Sequence, residues 1–199
     1  MGKIDLNKKK KREALLNTAF ELFTTQGIHK TTINNIVETA GVAKGTFYLY
    51  FKDKYDIRNK LIAHKAALIF SAADEALAKT GLTKLEDRII FLVDHILGQF
   101  QEDKSLLLFI SKNLSWGIFK NELIGLGDSS DVDFYNIYKV LENSPRTFKN
   151  PEVLLFMIVE FVSATCYSAI LYNEPVGIEE LKPYIFDVIR QMIKSQEIS

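Results

Sequence analysis

A chain of 199 residues with 47% apolar and 25% charged residues has an ordinary globular composition, which excludes a disordered chain. The single cysteine, Cys166, excludes an intrachain disulfide framework and a cysteine-based metal site, and it fits a reducing cytoplasm. The formal net charge is zero, yet residues 1–65 hold 13 Lys or Arg against 6 Asp or Glu, while residues 66–199 hold 12 against 19. An excess of +7 in the first part predicts a polyanion partner there; a solvated basic tail is the alternative, because Lys8 to Arg12 supply five of these charges.

Helical periodicity runs along nearly the whole chain, and no alternating run is bounded by hairpin turn residues. The sequence therefore predicts an all-α protein. The basic N-terminus is followed by no apolar stretch with a cleavage site, so we expect no secretory signal and a cytoplasmic protein. The first predicted helix runs from about Lys8 to Thr25 and stops at Gly27. Its apolar face consists of Leu16, Ala19, Phe20 and Phe23.

Two short helices separated by a glycine turn come next. Thr32 can cap the second helix, whose apolar spacing ends at Gly41, and the third helix runs from Ala43 to about Tyr50. Two helices joined by a tight turn with glycine form a helix-turn-helix, whose second helix can enter the major groove of DNA. Many helix corners share this spacing without binding DNA, so the spacing alone leaves the function open.

The composition of the third helix favours DNA. At about 100° per residue, Phe47 and Phe51 point to the core together with Ala43. The remaining arc carries Lys44, Gly45, Thr46, Tyr48 and Leu49, with Tyr50 at its edge. Lysine and tyrosine donate to phosphates, threonine bonds a phosphate or touches a thymine methyl, and glycine permits close approach. Thr32 and the free amides at the start of the second helix can hold another phosphate.

The segment TTINNIVETAGVAKGTFYLYFKDKYDI, residues 31–57, resembles the DNA-binding segment of the TetR family, the tetracycline-repressor-like transcription regulators of bacteria. The resemblance covers about residues 8–62 and returns more weakly in NEPVGIEELKPYIFDVI, residues 173–189. It implies an N-terminal three-helix head, residues 1–52, and a helical ligand-binding and dimerisation domain, residues 53–199.

Carried over position by position, the resemblance implies a structural role for Phe47 and Phe51 and a set of DNA contacts. These contacts are Thr32, Lys44, Gly45, Thr46, Tyr48, Tyr50 and Lys54. Two positions depart from the family pattern. Many members have serine where this chain has Ala43, and Leu49 is apolar where others often carry a polar or aromatic residue; both departures bear on the operator sequence.

Downstream, Asp53 with Asp56 three residues later is expected to cap a fourth helix to about Lys79. Thr83 and Glu86 predict a capping box for the next helix. Further helices are expected at about 105–113, 114–123 and 133–143, with loops at 125–131 and 143–151.

The segment from Pro151 to Tyr172 is apolar on nearly every face, which predicts a core helix, an interface helix or a membrane span. Glu160 in its middle disfavours the membrane span. Small residues in the segment suit close helix packing, so we expect it to form a homodimer interface with the helix at about 177–195, as the resemblance also implies.

The resemblance further implies a cavity in the second domain, where a small molecule changes the separation of two DNA-binding heads through the fourth helix. The candidate lining residues are His95, Asn113, Trp116, Tyr138, Glu160, Ser163 and Tyr167. They mix rings with a few polar groups, as ligand sites do. Glu160 either meets a cation or lies exposed at a rim.

No catalytic motif is present, and His29, His64 and His95 share no metal-ligand spacing, so we expect neither an enzyme nor a bound metal or cofactor. The basic head and the third helix predict a DNA-binding protein, and the resemblance implies a ligand-responsive transcriptional repressor that a small-molecule effector releases from a pseudo-palindromic operator. The alternative is a helical protein-interaction or sensor module without sequence-specific DNA binding.

Overall fold

The computed structural model describes residues 3–111, 140–141 and 144–198. All regular structure in these ranges is helical except an isolated bridge between Phe148 and Glu197, which confirms the all-α prediction. We number the helices of the described ranges α1 Lys3–Thr25, α2 Ile33–Thr39, α3 Lys44–Tyr48, α4 Lys54–Leu77, α5 Leu85–Glu102, α6 Lys104–Ser111, α7 Pro151–Tyr172 and α8 Ile178–Gln196.

The chain forms two compact units, Met1–His64 and Lys65–Ser199, and the division falls inside α4. We call the first unit the head. The predicted division at residues 52 and 53 assigns all of α4 to the second part, and it stays a prediction.

The head is held together by apolar residues from α1 to α4. In α1, Leu15, Leu16 and Ala19 are fully buried, and α1 packs against α2, which packs against α3. The predicted end of α1 at Thr25 is confirmed, but the predicted start at Lys8 is wrong, because the helix begins at Lys3. The basic run from Lys8 to Arg12 is helical, as predicted, and is not a separate tail, which suits lysine as a good helix former.

The turn between α2 and α3 is a Schellman motif. Gly41 adopts φ +66°, and the N–H groups of Gly41 and Val42 donate to the carbonyls of Glu38 and Val37. At the other end of α2, Thr32 is the N-cap, as predicted. A two-turn helix is therefore closed at both ends, which fixes where α3 begins.

The connection from α3 to α4 is fixed by two carboxylates. Asp53 Oδ1 accepts hydrogen bonds from the N–H groups of Tyr55 and Asp56 at 2.7 and 2.9 Å, which confirms Asp53 as a cap. The Asp56 carboxylate accepts from the N–H of Lys52 at 2.8 Å. Each carboxylate thus satisfies backbone donors on the other side of the helix start.

In the second unit, α7 packs against α8, α6 and α5. Asn150 caps α7 by accepting from the N–H of Val153 at 3.1 Å, and the predicted bounds Pro151 and Tyr172 are confirmed. Within the described ranges, α7 is the one helix long and apolar enough to cross a membrane, a test that a core helix also passes. The buried residues of α7 belong to the core of this unit; they are Leu154, Leu155, Ile158, Val162, Cys166, Ala169 and Ile170.

The predicted capping box of Thr83 and Glu86 is wrong. Helix α5 begins at Leu85, its N-cap is Lys84, and no side chain caps it. The Glu86 carboxylate instead bonds the guanidinium of Arg146, a partner 60 residues away that local sequence cannot reveal. Helix α6 ends at Ser111; the helix predicted at 114–123, the loop at 125–131 and most of the helix predicted at 133–143 lie outside the described residues.

Candidate nucleic-acid interface

Helix α3 divides its side chains between a buried and an exposed side. Phe47 and Phe51 are buried, and their rings lie 5.4 Å apart. The N–H of Phe51 donates to the Phe47 carbonyl at 3.0 Å, so the helical turn continues to Phe51. The exposed residues of this helix end are Lys44, Gly45, Tyr48 and Leu49. The predicted division is present for these residues, but the prediction that Ala43 faces the core is wrong, because Ala43 precedes the helix as its N-cap and is exposed; Thr46 is half-buried.

Three of the exposed residues offer what a phosphate or base edge requires. Lys44 is the first residue of α3, and Ala43 before it makes no side-chain cap. Gly45 faces open space, since no atom lies within 4 Å of where a Cβ would be. Tyr48 is 53% exposed, and its ring packs edge-to-face with that of Phe47, with ring centroids 5.5 Å apart. A cation, a hydroxyl and an unobstructed backbone therefore share one surface.

Thr32 lies at the exposed N-terminus of α2. Its Oγ1 accepts from the N–H of Asn35 at 3.1 Å and donates to Asn35 Oδ1 at 2.7 Å. Asn35 Oδ1 also accepts from the Thr32 N–H at 2.9 Å, which completes a capping box with asparagine at N3. The Thr32 side chain is held in place at a helix end that carries a partial positive charge.

Two predicted DNA contacts are engaged inside the head. The Tyr50 hydroxyl donates to the carbonyl of Lys8 at 3.2 Å, and Tyr50 is only half-buried. The Lys54 ammonium donates to the carbonyls of Thr31 at 3.0 Å and His29 at 3.4 Å. Each of these residues therefore joins two segments of the head, a role that the sequence reading did not include.

The structure adds residues of α1 to this surface. A groove of about 510 Å³ lies between the start of α1 and the end of α3. Its lining consists of Asn7, Lys8, Lys11, Thr46, Leu49 and Tyr50. Lys8 and Lys11 are exposed and three residues apart, so they lie on one side of α1. The helix predicted from Lys8 already contained both lysines, but only the fold shows that they lie beside the end of α3.

The second unit contains two adjoining cavities, of about 80 and 50 Å³. Both are lined by Phe70, Val93, Ile96, Ile158 and Val159. The larger one also contacts Ser163 and Cys166, the two residues with polar atoms among the described residues that line it.

Of the predicted ligand residues, Ser163 lines the larger cavity. His95 stacks on Phe91 with ring centroids 6.1 Å apart, and Tyr167 meets Tyr172 edge-on at 6.3 Å; neither lines the cavities described here. Glu160 is exposed, in agreement with the rim alternative. Asn113, Trp116 and Tyr138 lie outside the described residues.

The cavity contains no charged side chain among its described lining. Burial raises the pKa of the Cys166 thiol to about 12, so the thiol stays neutral at physiological pH. The thiol also donates weakly to the Ser163 carbonyl at 3.8 Å. The described lining therefore suits an apolar group better than a charged one.

Helix α7 carries an exposed stripe along one side. The stripe consists of Val153, Phe156, Glu160, Ala164, Ser168 and Tyr172. Its members are three or four residues apart, so they follow one face of the helix, and we call them the α7 stripe. Apart from Glu160 the stripe is apolar or small. In the ranges that the structure describes, no group of His, Cys, Asp or Glu side chains could hold a metal ion.

Comparison with known proteins agrees with this geometry. Residues 15–61 match the family model described as bacterial regulatory proteins, tetR family. The fatty acid metabolism regulator protein of Bacillus subtilis is 32% identical over 77 residues, which are 39% of this chain and 40% of that protein. An acrEF/envCD operon repressor of Escherichia coli is 34% identical over 59 residues, 30% of this chain and 27% of its own. The chain spans about half the length, or less, of the curated relatives it matches.

One solved structure extends the likeness to both units. FadR from Bacillus subtilis, solved in complex with stearoyl-CoA, has a TM-score of 0.61 and covers 89% of this chain and 96% of its own. Its sequence identity of 17% makes this a likeness of fold.

A helix-turn-helix head followed by a helical second unit defines a class of DNA-binding transcription regulators. The head of this chain matches the tetR family of bacterial regulatory proteins over residues 15–61, and the chain shares its overall fold with FadR from Bacillus subtilis. The relatives that it matches are named as transcription regulators or repressors and not as enzymes, in agreement with the sequence prediction.

Proposed function

We propose that this protein is a transcriptional repressor that binds a pseudo-palindromic DNA operator as a homodimer and is released by a small apolar effector. The observation that carries the proposal is the exposed side of α3, where Lys44, Gly45 and Tyr48 adjoin on a helix held by a Schellman turn and two buried phenylalanines. The repressor named among the relatives supports the direction of regulation.

The α7 stripe supports a homodimer. One head reads a short site, and two heads related by a two-fold axis read a pseudo-palindrome. An exposed stripe of apolar and small side chains is the kind of helix face that a second copy covers, and Ala164 and Ser168 would let the two backbones approach closely. We expect α8 to take part beside it. A regulator of this kind acts in the bacterial cytoplasm.

The cavities of the second unit support an effector with a hydrocarbon part. A volume of about 80 Å³ is smaller than such a molecule, so the effector would have to part the helices that line the cavity. Ala66 and Ile69 of α4 belong to that lining, and α4 also supplies residues 54–64 to the head. Movement of α4 is therefore the route by which we expect the effector to reach the DNA-binding surface.

Genome-wide mapping of bound DNA, followed by fluorescence anisotropy on the best site, tests the DNA-binding part. We expect the logarithm of the affinity to fall linearly with the logarithm of the salt concentration. A double variant, Lys44→Ala with Tyr48→Phe, should lose most of the affinity, while Lys79→Ala with Lys84→Ala in the second unit should keep it. A chain that binds no duplex with a steep salt dependence would instead support the protein-interaction alternative.

The effector part is tested by release of the bound operator. A panel of free fatty acids and acyl-CoA esters of increasing chain length, with matched short polar acids as controls, should release the operator only above a threshold chain length. The FadR complex makes acyl-CoA esters a reasonable first panel. Ser163→Phe fills the cavity and should keep operator binding while abolishing release. Release by the polar acids alone would contradict an apolar site.

A further inference from the structure

We propose that Leu49 reads a thymine in the operator by covering its C5-methyl group, an inference that rests on the DNA-binding function proposed above. Leu49 is 78% exposed, the most exposed of the large apolar side chains in the described ranges. It follows the last residue of α3 and keeps helical backbone angles, φ −71° and ψ −24°. The side chain therefore extends from the helix at a defined angle, where it borders the groove between α1 and α3 and stays largely open to solvent.

Its neighbours place Leu49 within the candidate interface. Gly45 lies one turn before it on the same side of the helix, and a Cβ at Gly45 would meet no atom within 4 Å. Because position 45 has no side chain, the helix can approach the groove until the longer Leu49 side chain reaches the bases. Tyr48 and Lys44 are also exposed and can contact the phosphates beside it.

The chemistry of the major groove selects one partner for this side chain. Three of the four bases present only hydrogen-bond donors and acceptors there, and thymine alone also presents a methyl group. The leucine side chain makes no hydrogen bond. A polar base edge that loses its water to contact with leucine therefore keeps unpaired donors and acceptors. An apolar side chain at this position therefore favours thymine and disfavours the other bases.

Replacement of thymine by deoxyuridine removes this methyl group and leaves every hydrogen-bonding group in place, which makes a specific test. Each thymine of the mapped operator is replaced in turn, in both half-sites together, and the affinity is measured by anisotropy. We expect one symmetric pair of positions at which the wild-type protein loses about fourfold per half-site, the factor for burial of one methyl group.

The same scan on variants identifies the residue responsible. Leu49→Ala and Leu49→Gln should bind the operator more weakly and show no loss at that pair, whereas Leu49→Met should retain the loss. Leu82→Ala, an exposed leucine of the second unit, should behave as wild type. Thermal melting checks that each variant is folded, which the exposure of Leu49 leads us to expect.

The outcomes separate the two proposals. If the protein binds a specific operator but no deoxyuridine position depends on Leu49, the thymine contact is wrong and the DNA-binding function stands. If no specific operator exists, both are wrong. If the loss persists unchanged in Leu49→Ala, another side chain covers the methyl group and the assignment to Leu49 is overturned.

Discussion

The Tyr50 hydroxyl donates a hydrogen bond to the main-chain carbonyl of Lys8, 42 residues earlier, at 3.2 Å. This bond joins the end of α3 to the basic first part of α1. Tyr50 therefore positions two parts of the candidate interface relative to each other, while Tyr48, two residues earlier, leaves its ring 53% exposed. Two neighbouring tyrosines of the same helix end thus have different roles.

We expect Tyr50→Phe to lower the free energy of unfolding by about 1 kcal/mol, the usual value of one hydrogen bond. Tyr48→Phe should leave the free energy of unfolding unchanged and weaken operator binding about fivefold, because it removes a donor to phosphate. Urea denaturation and anisotropy measure the two effects. Equal effects of both substitutions on stability would show that the hydroxyl of Tyr50 has no structural role.

Lys44 and Lys54 form a second matched pair. Lys44→Ala should reduce the salt dependence of operator binding by about one ion per head, because an exposed ammonium releases a counterion. Lys54→Met should leave that slope unchanged and destabilise the head by about 1 kcal/mol, because its ammonium bonds the carbonyls of Thr31 and His29. A lowered salt slope for Lys54→Met would return Lys54 to the DNA-binding set.

The groove lysines of α1 should contribute beyond α3. Lys8→Ala with Lys11→Ala is expected to reduce the salt slope by about two ions per head and to weaken specific and non-specific DNA alike, since phosphate contacts carry no sequence information. The control is Lys79→Ala with Lys84→Ala, which removes the same charge from the second unit. Identical slopes for the two double variants would mean that α1 lies away from the DNA.

The α7 stripe makes a prediction about assembly. Ala164→Glu places a second carboxylate one turn from Glu160 in a stripe that we expect a partner copy to cover, so it should convert the dimer to a monomer. Ala78→Glu, at another exposed alanine, is the control and should stay dimeric. Sedimentation velocity distinguishes them. Since a monomer holds one half-site, operator affinity should fall with the loss of the dimer; an Ala164→Glu dimer of unchanged strength would exclude the stripe as interface.

Arg146 should make stability depend on acid pH. Its guanidinium bonds the carboxylates of Glu86 and Glu197, the latter through two contacts of 2.6 Å. Partial burial opposes the charged form of Glu86, but the hydrogen bond and charge of Arg146 hold the pKa of Glu86 below its ordinary value of 4.5. The pKa of Glu197 is also lowered, and the main cause is its hydrogen bond to Arg146. Because both folded-state pKa values are lowered, the stabilisation is present above about pH 4.5 and is lost as the pH falls through them.

Thermal melting of Arg146→Met across this range is the measurement. At neutral pH the variant should melt a few degrees below wild type, and the difference should shrink below pH 4.5. Arg190→Met breaks only an exposed pair with Asp187 and should melt as wild type at every pH. A difference that is independent of pH would assign the effect to packing of the arginine stem.

Local sequence predicted most of the head because its determinants are local. Thr32, Gly41 and Asp53 act within four residues of where they stand, and all three define the helix ends that their chemistry indicates. The capping box predicted for Glu86 is wrong because that prediction used only four neighbouring residues. The Glu86 carboxylate instead binds Arg146, which comes from a distant segment. Long-range partners change the role of a residue without leaving a local signal.

The site residues follow the same rule. Burial of Phe47 and exposure of Tyr48 follow from helical periodicity alone, so the sequence was sufficient for them. The bonds of Tyr50 to Lys8 and of Lys54 to Thr31 join segments that only the fold brings together. Glu160 was considered for the cavity because α7 is apolar on nearly every side; the fold decides which side is covered, and Glu160 lies on the uncovered one.

The last described residues are part of the fold. The N–H of Ile198 donates to the Thr147 carbonyl at 2.8 Å, and the N–H of Lys149 donates to the Gln196 carbonyl at 2.9 Å. Anyone who fuses a reporter or an affinity tag to this protein should therefore keep residues 196–198 intact. A fusion that replaces these residues would remove both backbone bonds together with the carboxylate of Glu197, and its measurements would describe a weakened protein.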